Sequence, residues 1–489
     1  MKLKFDLERY LPYIIIAAVT FFVFSPCLFA DFLNWDDTSH LLNNPFLPLH
    51  RFNAVIRIFL SPDTANRTYI PLTVFSFGIE QWLFGLNSFV FHLNNIFLHI
   101  LAASLVYVLA RRMNISSKGA LFAALVFAVH PMRVESVAWV TERKDMLFGA
   151  CYLGALIAYW DYLRSGKGKY YITALACAVL SILAKPMALG LPLVLFLFDR
   201  MSGRKFTTGV WLDKLPFVLA LWPIAIITTL MNARELITGP WEKCLIAAYS
   251  ATFYIIQFFL PFGSAVIHPA PRPVSLLHPQ YLTGVLVFVL IVCWVWRWRK
   301  DRWVMFAILF YIFSMFFVWS VDLYEGAKGL VKERFMYVPC IGFTLLFGAM
   351  WDKYFKGAVK GVVLAGILIA LLAGITFNRC FVWQDSFVFW SDVLKNDKDN
   401  TFALINRAAC LIEDKKIRLR YGMSERSAYK MALVDLQKAV HRAPRDEDAW
   451  KNLSIVYRRL GQEQESIAAF DRYEQVLLLN GSGASLGKK

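Results

Sequence analysis

Apolar runs approaching the roughly 20 residues needed to cross a bilayer recur between positions 11 and 377, and they decide the class of this chain. Hydrocarbon offers the backbone no water to bond, so only helices and closed barrels span it. Barrel strands alternate apolar and polar residues in short segments, whereas these runs are continuous. Composition agrees: 58% of the 489 residues are hydrophobic and 18% charged, where soluble domains are about half apolar and about a quarter charged. The expected fold is all-α, a polytopic membrane helical bundle.

A net charge of +17 would suit nucleic-acid binding in a soluble protein. Here basic loops explain it better, because they set membrane orientation, and no nucleic-acid partner is expected. Lys2, Lys4 and Arg9 place the amino terminus in the cytoplasm. The first apolar run is long and has no clear small-residue cleavage site, so it reads as a span. Inner loops follow at Arg111, Arg112 and Lys118, at Arg164, Lys167 and Lys169, and at Arg200, Arg204, Lys205 and Lys214. Two more lie at Arg297, Arg299, Lys300 and Arg302, and at Lys353, Lys356 and Lys360. Counting between these anchors gives about 11 crossings and an outer carboxyl terminus. The segment 244–262 breaks parity if it crosses and is read as re-entrant or interfacial; 71–82 is read as a helix on the interface. The runs 119–129 and 187–198 fall well below about 17 residues. Their outer ends then stop inside the bilayer, beside His130-Pro131 and Lys185-Pro186, where irregular backbone requires a cavity.

Charge beside the hydrocarbon core is costly and marks a functional site by default. The densest block is 130–145, with His130, Arg133, Glu135, Glu142, Arg143, Lys144 and Asp145. It reads as a polar wall facing the cavity, against the plainer reading of a solvated turn with ion pairs worth about 0–1 kcal/mol. Asp36 and Asp37 lie beyond the first span. They read either as a catalytic base with a helper carboxylate or as an N-cap for a helix starting near Thr38. Lys185, and Lys332 with Arg334, are placed to hold a leaving phosphate, as positioned cations stabilise developing charge; snorkelling to head groups is the alternative. His268 is a candidate for the cavity lining. His92 and His99, seven apart on one helical face, read as interhelical hydrogen-bonding groups rather than metal ligands. No HExxH or Walker A sequence occurs, and the eight cysteines lack CxxC spacing. No metal site is expected.

After residue 377 the apolar runs stop. Trp450, Leu453, Tyr457, Gly461 and Phe470, with Ala432, Leu436, Ala439 and Pro444 one repeat earlier, resemble tetratricopeptide spacing. An insertion at 415–422 interrupts the earlier copy. The expected division is a membrane domain, 1–377, and a tetratricopeptide-like α-hairpin module, 378–489, that leans on the membrane domain or on a partner protein.

Several motifs together resemble the TMTC-like membrane glycosyltransferases and their bacterial tetratricopeptide-bearing relatives. They are Asn34-Trp35-Asp36-Asp37 with Asn44-Pro45, the segment 67–72, Leu83-Phe84-Gly85-Leu86-Asn87, His92-Leu93-Asn94, the block 130–145, Ala184-Lys185-Pro186 and Arg334-Phe335-Met336-Tyr337-Val338-Pro339. The resemblance implies the GT-C fold of the protein O-mannosyltransferases and lipid A aminoarabinose transferases. It implies a sugar, mannose among the candidates, taken from a polyprenyl-phosphate carrier at the outer face and passed to a hydroxyl acceptor on a protein or glycan. It makes Asp36 the leading base with Asp37 adjacent, gives Glu135, in the second-loop site, a catalytic part as well, and brings Lys185, Arg334 and, from that second loop, Arg133 to the lipid phosphate. Relatives often carry Asp where this chain has Glu333. A divalent metal is left open, since relatives differ. The localisation implied is a bacterial inner membrane, with the repeats periplasmic or extracellular. The rivals are a membrane-anchored tetratricopeptide scaffold for an envelope complex, and a transporter.

Overall fold

The computed structural model describes residues 7–47, 49, 52–61, 69–231, 239–269, 271–321, 330–355 and 358–486. The anchors Lys2, Lys4 and Lys356, and Arg67 at the start of the 67–72 motif, lie outside the described residues. No strand forms among the described residues beyond an isolated bridge between His268 and Val331.

Helices longer than ten residues are numbered in chain order. They begin with α1 (Leu7–Phe24), α2 (Pro71–Phe84), α3 (Ser88–Arg112), α4 (Ser117–Val129), α5 (Arg143–Ser165), α6 (Gly168–Ala184), α7 (Leu191–Ser202) and α8 (Leu215–Met231). Next come α9 (Pro240–Phe259), α10 (Pro279–Arg297), α11 (Arg302–Val321), α12 (Ile341–Tyr354) and α13 (Val359–Cys380). Five more close the chain: α14 (Ser386–Asn396), α15 (Thr401–Glu413), α16 (Glu425–Arg442), α17 (Glu447–Arg459) and α18 (Glu463–Leu486).

Six stretches among the described residues are long and apolar enough to cross a membrane, against the expected 11 or so: Glu8–Phe29, Ser88–Arg112, Val140–Ser165, Thr208–Thr228, Pro279–Arg297 and Val359–Trp383. A seventh arises if Ser117–Val129 and Pro131–Ala138, bent by 58°, count as one broken span. Three further apolar helices are shorter: α6 has 17 residues, α4 13 and α7 12. The segment 244–262 falls mostly within α9, an unbroken 20-residue helix. α13 carries through the expected division at 377/378 to Cys380.

Small residues let backbones meet where hydrocarbon gives helices little drive to associate. α4 crosses α12 at Gly119 and Gly348, and a methyl group on Gly119 would lie 2.7 Å from the Gly348 carbonyl oxygen. α5 and α6 form an antiparallel pair, and α3 packs against α1, α4 and α5. The interior is a continuous apolar core reaching from Ile16 to Trp390 and Ala449.

Four of the five carboxy-terminal helices are started by a side-chain cap, which satisfies an otherwise orphaned N–H. Asp385, Asn400, Ser424 and Asp446 accept from the first turns of α14, α15, α16 and α17. α15–α16 and α17–α18 are hairpins around Ala408, Leu411, Ala432, Leu436, Leu453 and Val456. The insertion 415–422 folds into the short helix Lys415–Arg420.

Candidate active site

The charged block is folded inward. All of 130–145 is buried except half-buried Lys144, so it is no solvated turn. α4 stops at Val129 because Pro131 disfavours helical backbone at the residue before it, and His130 is extended. Short helical turns at Pro131–Arg133, Val134–Ala138 and Val140–Glu142 then return the chain to α5. The same device acts at Pro186: Lys185 leaves α6 with φ −156° and ψ 133°, freeing its side chain from the helix surface. A third irregular turn, Glu333–Met336, supplies Arg334.

These segments meet at Glu142. Its carboxylate lies 2.9 Å from Lys144 Nζ, 3.3 Å from Lys185 Nζ and 3.2 Å from Arg334 Nε. Lys185 also pairs with Asp145, which accepts from Ser136 Oγ at 3.0 Å. The Arg334 guanidinium pairs with Glu135, which accepts the Arg334 backbone N–H at 2.9 Å. Burial works against charge on Arg334, but Glu142 and Glu135 outweigh it and hold its pKa above the usual value. The side chains of Lys144, Lys185 and Arg334 keep 12%, 8% and 10% exposure, against 0% for Glu142 and 1% for Asp145. The whole cluster is largely buried, and what little exposure it has lies mostly on the cations. Burying paired charges gains little stability over apolar packing, whereas perturbed, convergent charge is a mark of function. Phe335 lies under Lys185 and Lys332, each Nζ 5.5 Å from the ring centre.

The two aspartates of the first loop part company. Asp37 is buried and accepts from Leu33 N at 2.9 Å, Thr141 N at 3.0 Å and Thr141 Oγ1. It occupies an N-cap position but caps nothing; its carboxylate ties the first loop to the charged block. Burial raises its pKa to about 6 despite those three hydrogen bonds. Ionising it therefore costs stability, a cost absent below the ordinary carboxylate range and fully present above about 6. Asp36 is half-exposed. Its side chain has no hydrogen bond or ion pair among the described residues, and its charge acts on Lys144.

Asn34 and Trp35 fix that loop from behind. Asn34 donates to the Asn406 carbonyl at 2.9 Å, and accepts from Trp390 Nε1 at 2.7 Å. Its backbone N–H donates to Ser386 Oγ at 2.9 Å. Trp35 stacks on Trp139, ring centres 4.4 Å apart, and meets Phe389, Trp390 and Phe402. The helices after α13 are thus wired into the loop that presents Asp36.

Five other expected residues stand away from this cluster. Arg133 is fully buried, with its guanidinium between Phe127 and Tyr337 and one N–H donating to the Met336 carbonyl at 3.0 Å. It braces the turn carrying Arg334 and does not line the exposed surface. Arg143 is paired with Glu80 and donates to Asn95 and the Phe91 carbonyl; it joins α2, α3 and α5 and is not a cavity wall. His130 stacks on Phe258 and bonds the Phe258 carbonyl at 2.9 Å, which fixes it to α9. Glu333 turns to Ser264 Oγ at 2.7 Å and His268 Nε2 at 3.2 Å, so these residues form a separate pair beside the cluster. His99 makes the expected interhelical bonds, to Tyr337 OH at 2.8 Å and the Ala128 carbonyl at 2.9 Å.

Sequence reasoning missed the partners that give these residues their places. Glu80 and Asn95 hold Arg143. One signal was available: residues 142 and 145, three apart on a helical turn, share a face, while 143 lies off it. Among the described residues no group of three or more His, Cys, Asp or Glu is arranged to hold a metal. The cluster's carboxylates are engaged by cations instead, so no step is derived through a metal.

No family model matches the chain. It is similar to the protein O-mannosyl-transferase TMTC3 of Mus musculus, 23% identical over 502 residues, covering 91% of this chain and 52% of that protein. TMTC3 of Homo sapiens is 22% identical over 498 residues, covering 90% and 52%. A protein O-mannosyl-transferase of Caenorhabditis elegans is 24% identical over 407 residues, covering 78% and 57%. The chain spans about half the length of the curated relatives it matches. Among solved structures, an oligosaccharyltransferase of Archaeoglobus fulgidus tethered with an acceptor peptide aligns over 93% of this chain and 68% of its own. The identity there is 13% and the TM-score 0.39. The relatives are TMTC protein O-mannosyl-transferases, the group the motifs resemble.

Proposed function

We propose that this protein is a membrane glycosyltransferase that moves a sugar, mannose by the names of its relatives, from a polyprenyl-phosphate carrier to a hydroxyl on a protein acceptor. The observation that carries the reading is the convergence at Glu142. Three cations from separate segments converge on one buried carboxylate and keep the cluster's small exposure, and the charge of a half-exposed Asp36 without a hydrogen-bonding partner among the described residues acts on one of them. A greasy carrier with an anionic head group fits cations at the end of apolar helices. Its lipid would lie along the bundle while the phosphate replaces part of the cations' hold on Glu142.

In this reading Asp36 accepts the proton of the acceptor hydroxyl as that oxygen attacks the anomeric carbon. The bond from that carbon to the phosphate oxygen breaks, and both its electrons leave with the polyprenyl phosphate. Lys185 and Arg334 stabilise the charge that develops there, and Asp37 with Thr141 fixes the height of the base above the phosphate. The cluster lies where α1 and α6 end and α5 begins, opposite the basic loops at Arg111–Arg112, Arg164–Lys169 and Arg200–Lys205. We place that end at the outer face of a bacterial inner membrane, with the bundle read as GT-C-like and the hairpins as tetratricopeptide-like. The wiring of those hairpins to Asn34 and Trp35 favours this over a scaffold whose anchor merely holds repeats.

The test is incubation of the purified protein with a panel of polyprenyl-phosphate sugars and a Ser/Thr peptide, read by mass spectrometry. Consumption of one donor with glycopeptide formation is expected. Donors left intact across the panel, with protein shown to be folded, would count against transfer.

A further inference from the structure

A cleft of about 360 Å³ lies between α14, α15 and α16 of the carboxy-terminal helices. Its floor is Leu394 and Leu404, both buried, and its walls carry Lys395, Lys398, Arg407 and Lys438. The only carboxylate among its lining residues is Asp435, already bonded to Arg407 at 2.8 Å through both oxygens. Lys395, Lys398 and Lys438 are exposed and have no ion-pair partner among the described residues. A favourable helix C-terminus accounts for Lys395 at the end of α14. It does not account for Lys398 or Lys438, which join Lys395 around one concavity, while Arg407 is already neutralised by Asp435.

The position of the cleft matters as much as its charge. Trp390 and Asn406, which hold Asn34, each stand one residue from a lining residue, Ser391 and Arg407. Successive residues on a helix point to adjacent faces, so α14 carries the cleft on one face and Trp390, which holds the loop of Asp36, on the next, while α15 reaches that loop through the Asn406 carbonyl. An extended polypeptide seated in the cleft by its acidic side chains is thereby kept beside the proposed base.

We infer that this cleft docks an acidic segment of the acceptor polypeptide. The inference rests on the glycosyltransferase reading for the word acceptor, and on the cleft alone for the binding. A concavity with an apolar floor suits the side chains of a peptide, whereas a flat anionic bilayer would reach the rim lysines and leave the floor empty. Rim charges of this kind set on-rate and selectivity, and their effect falls with salt.

The experiment is fluorescence anisotropy on the full chain in nanodiscs of neutral phospholipid, without sugar donor. The probes are a labelled Ser/Thr peptide flanked by Asp and Glu and the same peptide with Asn and Gln. The acidic peptide is expected to bind roughly tenfold tighter or more, with the margin shrinking at high salt. Lys395→Glu with Lys438→Glu is expected to remove that margin, and Lys395→Arg with Lys438→Arg to keep it. Equal binding of the two peptides overturns the inference, as does charge reversal without effect. It is also overturned if reversal weakens attachment to phosphatidylglycerol vesicles but leaves peptide affinity alone. Binding of the acidic peptide with no transfer from any donor supports the cleft and overturns the enzymatic reading.

Discussion

Asp36→Asn is expected to lower the transfer rate by about 10²–10⁴-fold, the range set by removing a positioned general base. The substitution keeps the shape of the side chain, and no hydrogen bond to the Asp36 side chain is lost among the described residues. Folding and donor binding should therefore be those of the unaltered protein, with the loss confined to the chemical step. Asp37→Asn provides the contrast. That carboxylate accepts three hydrogen bonds from Leu33 and Thr141, all from donors, and an amide placed there turns an N–H toward at least one of them. Its effect should fall first on thermal stability and only through it on activity. Full activity of Asp36→Asn in folded protein would remove the base assignment.

The second large effect is expected at the cations. Losing one positioned donor to developing charge costs about 10²–10³-fold in rate, and Lys185→Met should fall in that range. The substitution also strands Asp145, and an unpaired buried charge costs about 3–5 kcal/mol, so lost activity alone would be ambiguous. Lys185→Met combined with Asp145→Asn removes the pair together and should restore the melting transition without restoring transfer. Lys185→Arg keeps the charge and should retain part of the rate. If the paired variant transfers sugar at the normal rate, Lys185 is a structural cation and nothing more.

The elements that broke the helices were legible in the sequence because their cause is local. Proline at 131 and 186 disfavours helix at the residue before it, so the short runs, the extended His130 and the projecting Lys185 are in keeping with their neighbours. The choice between Asp36 and Asp37 was not legible. Both are acidic and adjacent, and what separates them is Thr141, more than a hundred residues away. Arg143 was misplaced for the same reason. In sequence it is one charge among several, and only Glu80 from α2 and the Phe77 and Phe91 rings turn it into an interior cross-link. Arg133 likewise reads as a phosphate ligand until Phe127 and Tyr337 close around its guanidinium. The role of Asn34-Trp35 was hidden deeper still. A motif in the first loop is held by residues near positions 386–406, and no spacing rule joins segments so far apart.

The central claim is that the cations at Glu142 receive the head group of a lipid-linked donor. Photo-crosslinking tests it most directly, using a polyprenyl-phosphate mannose analogue with its reactive group on the first isoprene unit, followed by peptide mapping. The account predicts labelling within 139–145, 185–190 or 330–337, displaced by unlabelled donor and lost when Lys185 and Arg334 are both neutralised in folded protein. Displaceable labelling confined to the opposite end of the bundle, beside Arg112 and Arg164, would contradict it.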